Sequence, residues 1–373
     1  MVRALLLFGV SLSSLGDIKL SGHIKTVAVT QEKFSGAPRN YQSQNNLRFI
    51  WSGQKANLAW ELHYEFNPTF ISTKVPEQYS SLIQSKDNFR IKDITRRLRK
   101  SESRHILIQN LDRFNAQLRL PHGDLTLGRQ AITFGSSRVI NPTDIFVPFD
   151  VLVFNQEYRM GVDAIRYQAP IGDVGEFDLG FVFGESREAS AAFFQLSDNY
   201  AGKDWQITLL RFAEKNLLGF GMETALGQFG FWVEAAKVFG QRKYIRVSTG
   251  LDYAFSDRAL GQIEYHYNGV KLDQIQEGKE NLQGARLPVG VMFRGENYLI
   301  PNLTYQLGPL WKMGFQGIFN TSDNSSFLSI FTAYNVKENI DANFTYYHFQ
   351  GDRESSEYGL NPDIVYLGLS YYF

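Results

Sequence analysis

The stretch Ala56-Asn57-Leu58-Ala59-Trp60-Glu61-Leu62-His63-Tyr64-Glu65-Phe66 alternates strictly in character. Ala56, Leu58, Trp60, Leu62, Tyr64 and Phe66 fall on one side of an extended chain, and Asn57, Ala59, Glu61, His63 and Glu65 on the other. A period of two marks a β-strand with one apolar face. In a soluble sandwich the apolar face meets a core and the polar face meets water. In a membrane barrel the apolar face turns outward to lipid and the polar face inward to a wet lumen. The alternation alone is compatible with both.

Composition narrows the choice. The chain has 373 residues, 43% hydrophobic, with 30 Phe, 19 Tyr and 5 Trp, too aromatic for a disordered polymer. Cysteine is absent, which excludes a disulfide framework, a Cys-ligated zinc site and a c-type haem. Thirty-eight basic residues balance 38 acidic ones and are dispersed, so no nucleic-acid partner is implied. Beyond the first sixteen positions no run of 18 apolar residues occurs, which excludes helical membrane spans and leaves a barrel as the way to cross a bilayer. Gly (32) and Pro (11) are spread without a linker-like tract, so residues 17–373 read as one domain. Met1-Val2-Arg3 followed by the apolar run Ala4 to Leu15 reads as a signal peptide, residues 1–16, cut before Asp17. A buried first strand or helix is the alternative. An exported chain without cysteine fits the envelope of a Gram-negative bacterium.

Working outward from residues 56–66, segments of about ten residues with the same pattern recur, whereas soluble strands commonly run to about five or six. Eighteen are legible between 18–30 and 363–373, including 45–52, 55–66, 124–134, 158–169 and 291–306. The weakest are 18–30, 45–52 and 190–196, so sixteen is the alternative count. Tight links follow even-numbered segments, at Ser52-Gly53-Gln54, Pro121-His122-Gly123, Leu226-Gly227-Gln228 and Leu307-Gly308-Pro309 among others. The long connections, 67–105, 135–157, 269–290 and 351–362, all follow odd-numbered ones. Short turns on one rim and long loops on the other belong to an all-β, antiparallel, up-and-down transmembrane barrel. A sandwich has no reason to sort its loops in this way. Trp51, Tyr64, Trp311, Tyr346 and Tyr371 stand near strand ends, where interfacial girdles sit.

The chain ends Val365-Tyr366-Leu367-Gly368-Leu369-Ser370-Tyr371-Tyr372-Phe373. Gly368, Tyr371 and Phe373 form a Gly-x-x-aromatic-x-Phe ending that resembles the assembly signal of outer-membrane barrels. The resemblance implies recognition by the barrel-assembly machinery through strand pairing. A second resemblance lies at Leu125-Thr126-Leu127-Gly128-Arg129-Gln130-Ala131-Ile132-Thr133-Phe134-Gly135, followed by Asn141-Pro142-Thr143-Asp144-Ile145-Phe146-Val147-Pro148-Phe149. These segments are similar to a family of porin-type outer-membrane proteins with a Gly-Arg-Gln strand and an Asn-Pro-x-Asp-x-Phe loop. Leu111-Asp112-Arg113-Phe114, Gly250-Leu251-Asp252-Tyr253 and Ile263 to Gly269 fit the same family, with Phe134 standing where Trp is common. The likeness covers 111–269, and outside it only the general barrel pattern holds. It implies a bacterial outer-membrane barrel with a pore, more firmly than any particular solute.

Inside the loop 135–157, Ile140, Ile145, Phe146, Val147, Pro148, Phe149 and the apolar residues of 151–154 are poorly suited to water. A loop folded into the lumen against the wall explains them, and a loop that caps the barrel or touches a neighbouring subunit is the alternative. Folded inward, it would place Arg138, Asp144 and Asp150 at the narrowest point with the wall residues Arg113 and Arg119. Alternation puts Glu61, Glu65, Arg113, Arg119, Glu176, Asp178, Arg246, Asp252 and Glu264 on the inner face, of mixed sign. They either line a pore tolerant of small polar solutes or pair across the lumen and brace the wall. At Arg129 and Arg166 alternation fails, and a bulge would re-aim them inward. The basic run Arg96-Arg97-Leu98-Arg99-Lys100 in the longest loop would attract anions or lipopolysaccharide phosphates, or simply be solvated.

Six histidines, His23, His63, His105, His122, His266 and His348, show neither a nucleophile-base spacing nor a metal motif. The sequence therefore implies no enzyme and no cofactor. Passive diffusion of small polar solutes or ions through an outer-membrane porin leads. A barrel sheathing a multihaem cytochrome for electron transfer, which needs a wide and unobstructed lumen, is the alternative. An exporter or a receptor for a hydrophobic ligand is a third, suggested by the apolar loop alone. A homotrimer stays open, since no self-complementary patch can be read from one sequence.

Overall fold

The computed structural model describes residues 17–33, 38–72, 89–92, 104–146, 158–240, 243–270 and 289–373, with the backbone of 96–97. The expected signal peptide 1–16, Asp150 and most of the basic run 96–100 lie outside the described residues.

The strands are β1 (Asp17–Gln31), β2 (Asn40–Lys55), β3 (Leu58–Ile71), β4 (Arg96–Arg97), β5 (His105–Leu120), β6 (Gly123–Gln130), β7 (Val162–Ile171), β8 (Gly175–Phe183) and β9 (Ala191–Tyr200). There follow β10 (Lys203–Phe212), β11 (Lys215–Leu226), β12 (Phe229–Phe239), β13 (Tyr244–Ser256) and β14 (Ala259–Asn268). The chain closes with β15 (Asn297–Gly308), β16 (Trp311–Asn320), β17 (Ser325–Lys337), β18 (Ile340–Gln350) and β19 (Ile364–Tyr372). Strand β4 is a two-residue extension paired to β5. The other eighteen form one closed antiparallel wall, each paired with its sequence neighbour and β1 paired with β19. The alternative count of sixteen falls, because each of the three faint segments is a full wall strand.

Closure is local and specific. Gly22 donates to the Phe373 carbonyl at 2.9 Å, and the Phe373 N–H donates back at 3.1 Å. A Cβ at Gly22 would strike the Arg48 backbone and the Phe373 ring, so this seam requires glycine. The loops sort as the sequence implies: two or three residues join strands on one rim, and the long connections 72–104, 131–161 and 269–296 all lie on the other. Boundaries shift where the chain has a reason to turn elsewhere. The turn expected at 52–54 sits at Ala56-Asn57, with Ala56 at φ 51°, and Gly53 continues β2. The strand expected at 124–134 ends at Gln130, because Ala131 to Phe134 leave the wall for the lumen.

Outward positions are apolar and bare: Leu367 is 60% exposed, Phe114 57% and Leu127 46%. A continuous belt of this kind is stable against hydrocarbon and unstable against water, so the wall is a membrane-spanning one. Inward, the apolar core is confined to the long-loop end. One cluster joins Ile132, Phe134, Ile145 and Phe146 to wall residues such as Phe193 and Phe212. A second joins Val139 and Ile140 to Phe293, Tyr298, Phe327 and Tyr358. The short-turn half of the lumen is polar.

Candidate functional site

The lumen is divided by the chain that leaves β6. Gly135 adopts φ 118°, a region that L side chains rarely enter, and a Cβ there would collide with Asn141. From this bend, residues 136–146 cross to the far wall, where two carboxylates receive their backbone. Glu234 of β12 accepts from the N–H groups of Ser136 (2.8 Å), Ser137 (3.0 Å) and Thr143 (2.8 Å) and from the Thr143 hydroxyl (2.7 Å). Glu264 of β14 accepts from the N–H groups of Arg138 (3.1 Å), Val139 (3.1 Å) and Ile140 (2.9 Å) and from the Trp232 indole (3.1 Å). Both are completely buried. Charge-assisted bonds of this kind are about twice as strong as neutral ones, and four per carboxylate satisfy an otherwise costly buried charge. The Ser248 hydroxyl donates to the Ile140 carbonyl at 2.7 Å, and Arg246 donates to the carbonyls of Pro142 and Gly290. Loop carbonyls and loop amides are thus both held.

Among the described residues, the opposite side of the lumen is open at the short-turn end. A cavity of ≈ 800 Å³ at the short-turn end is lined by Lys19, Glu61, Arg113, Asn115, Gln130 and Arg166, among others. Glu61 lies 3.7 Å from Arg113 and 3.1 Å from His63, and accepts from the Asn115 amide at 2.8 Å. Arg166 is held by Asp178 at 2.6 Å. Strand β5 reaches this arrangement through a bulge: His63 pairs with Arg113 and Tyr64 with Leu111, leaving Asp112 as the extra residue. Two successive charged side chains therefore both serve the lumen, which regular alternation forbids. Towards the long loops, Arg48 is buried between Glu65 and Asp112, with its guanidinium 4.0 Å from the Tyr158 ring. Arg90 joins Asp112 at 3.7 Å.

The residues singled out from the sequence fall into separate places. Glu61 and Arg113 meet at the cavity. Arg138 reaches Glu223 at 2.7 Å, lies 5.3 Å from the Trp232 ring and stays partly exposed. Glu264 is an anchor beneath the loop rather than a free pore charge, and Asp144 is buried under Arg159 at 2.9 Å. Arg119 sits at the exposed short-turn rim beside Asn57. Arg129 is turned into the wall, bonded to Asp163 at 2.7 Å and to the carbonyls of Leu111 (2.8 Å) and Lys92 (3.2 Å), with β6 and β7 in unbroken register around it. Gly368 packs against Asn343 in the last strand, while Tyr371 and Phe373 face outward. Sequence reading missed Arg48, Asp112 and Glu234. Asp112-Arg113 carried a usable signal, two charges in succession within an apolar strand.

No family model matches the chain, and no curated protein matches it. Solved structures do. OccAB4 of Acinetobacter baumannii superposes with a TM-score of 0.63 at 7% identity, over 97% of this chain and 100% of that one. OccD3 (OpdP) of Pseudomonas aeruginosa gives 0.58 at 9% identity, over 96% and 92%. OccK11 (OpdR) of the same organism gives 0.57 at 10%, over 96% of each. At such identities the likeness is one of fold: the closed eighteen-stranded barrel over essentially its whole length.

Proposed function

We propose that the chain is a porin-type channel of the bacterial outer membrane, exported by residues 1–16, through which small polar solutes or ions diffuse passively. The observation that carries this reading is the division of the lumen. One side is occupied by residues 131–146 pinned to Glu234 and Glu264, and the other is a cavity lined by charges of both signs. Fixed side chains of both signs favour small hydrated solutes and leave nothing for a bulky apolar one. Of the apolar loop residues that suggested a hydrophobic ligand, the described ones, Ile140, Ile145 and Phe146, are buried in the two clusters together with Ile132 and Phe134. A cytochrome sheath requires a wide lumen, and the crossing loop and its clusters take up the long-loop half of this one. The last strand, with Gly368, Tyr371 and Phe373, supports engagement of the assembly machinery.

The test is electrical. Purified protein in planar bilayers should give discrete water-filled channels, and Arg113→Glu should move their selectivity towards cations. Silent bilayers from a correctly folded, heat-modifiable barrel would remove the proposal.

A further inference from the structure

On β10 to β13 the outer wall carries a group of cations where lipid is expected. Outward positions of β10 to β13 form a lattice fixed by the pairing register. Arg211 lies opposite Asn216, and Asn216 opposite Phe239. Lys243 precedes Tyr244, the partner of Val238, and so continues this row beyond Phe239. In the next row towards the short turns, Leu209 meets Leu218, Leu218 meets Lys237, and Lys237 meets Ile245. The third row is Ile207, Phe220, Ala235 and Val247. The first row holds two cations and the second one, while the third is wholly apolar. Neighbouring strands stand about 4.8 Å apart and residues rise about 3.3 Å each, so the three cations fall within roughly 15 Å of one another.

Arg211, Lys237 and Lys243 are all exposed, and none forms an ion pair with an acid among the described residues. The adjoining turn offers one acid, Glu214, and it is not bonded to them. Lys237 bends towards the long-loop rim, with Nζ 5.2 Å from the Phe239 ring, as a long cationic side chain does when its stem lies in hydrocarbon and its head seeks the interface. Across the barrel the same rim is different in that an acid there is partnered: Asp363 accepts from Tyr346 and bonds His348. The three cations sit at the upper edge of the apolar belt.

From this placement we infer that Arg211, Lys237 and Lys243 form a docking surface for the phosphorylated headgroup of a lipid in the leaflet on the long-loop side. Its acyl chains lie on Leu209, Leu218 and Ile245, and its phosphates lie between the cations. The inference rests on the membrane-barrel reading but not on channel activity. Charge complementarity selects the headgroup, and the apolar rows directly below select a lipid over a soluble anion.

The experiment uses the full chain refolded in a neutral detergent and titrated with a diphosphoryl glycolipid, bound lipid being read by native mass spectrometry. Each cation near an anionic headgroup contributes roughly fivefold in affinity, so R211Q/K237Q/K243Q should lose roughly a hundredfold. The charge-conserving R211K/K237R/K243R should keep wild-type retention, which separates charge from misfolding. Raised salt should weaken wild-type binding and leave the Gln variant little changed. Equal retention of the dephosphorylated glycolipid, or equal binding by the Gln variant, would overturn the inference. So would complete displacement by an equimolar amount of inorganic phosphate, which would mean a soluble-anion site. Conductance recorded on the same samples should be unchanged by the Gln variant, because these side chains lie outside the lumen. Silent wild-type protein that still retains the glycolipid would reject the channel and keep the lipid site.

Discussion

Two inner walls of one barrel handle buried carboxylates in opposite ways. On β12 and β14, Glu234 and Glu264 face main-chain amides, and their charge is consumed in holding residues 136–143 across the lumen. On β2, β3 and β5, Glu65, Asp112 and Glu61 face the cations Arg48, Arg90 and Arg113, and part of that set remains in reach of water. A carboxylate satisfied by four donors is an anchor. A carboxylate balanced by side-chain cations that border open water makes a field. The difference teaches that inward charge, by itself, does not identify a pore lining: its partner does.

The sharpest way to break the comparison is to remove the anchors. Replacing Glu234 and Glu264 together by Ala orphans eight donors, each costing about 1–3 kcal/mol if it stays buried. The loop should leave the far wall, and single-channel conductance should rise severalfold, with each single variant giving an intermediate value. Unchanged conductance from the folded double variant would show that the pinned loop does not narrow the passage.

Next in size is the other wall. Arg48→Ala leaves Glu65 and Asp112 without their shared cation, and breaking a buried pair in this way costs about 3–5 kcal/mol. Denaturant unfolding should register that loss while the loop-dependent conductance stays near wild type. If Arg48→Ala instead reproduced the large conductance of the double Glu variant, the two walls would not be independent.

A smaller contrast tests inside against outside on a single strand. Leu62 pairs with Phe114 on the lipid side, whereas Glu61 faces the cavity. Leu62→Arg should destabilise the barrel by about 2–4 kcal/mol. Glu61→Arg should alter selectivity with a much smaller effect on unfolding, and equal damage from both would reverse the assignment of faces.

How much of this was legible beforehand follows from what alternation encodes. Period two at 56–66, the sorting of short and long connections and the C-terminal strand establish the barrel, because each wall strand repeats the same inside-outside choice. The weak segment 45–52 proved longer, Asn40–Lys55, since inward polar residues such as Gln42, Gln44 and Asn46 dilute the apolar signal without ending the strand. The site was less legible. Arg113 and Glu61 obey the alternation, but Asp112 joins them through a bulge that only the register with β3 reveals. Asp144 and Glu264 looked like pore charges because their partners, Arg159 and the backbone of 138–140, are remote in sequence or are not side chains. Arg129 lies within the family-like motif, yet its partner Asp163 comes from the far side of a long loop.

The same contrast recurs in miniature within the loop 351–363, and pH should separate its two acids. Glu357 is an anchor: it accepts from the Arg294 N–H at 2.9 Å, the Asn320 amide at 2.9 Å and the Tyr298 hydroxyl. Burial pushes its carboxyl above the ordinary value of 4.5, outweighing those donors. Asp363 is half-open: burial raises its carboxyl too, but bonds from the Tyr346 hydroxyl, His348 and the Phe349 N–H prevail and hold it below 3.8. The signs are opposite. A raised folded-state value means that Glu357 favours the folded loop below the ordinary carboxylate range and that this support fades as pH rises through the folded value. A depressed value means that Asp363 supports the folded loop above that range and that the support is lost as pH falls through its folded value. Thermal midpoints measured across acidic to neutral pH should therefore lose their acid-side decline in Asp363→Asn and their alkaline-side decline in Glu357→Gln. The effect is the smallest of the set, because both groups hold one loop rather than the wall. Identical pH profiles for the two variants would mean that the acids are equivalent and that partner identity does not set their behaviour at this rim.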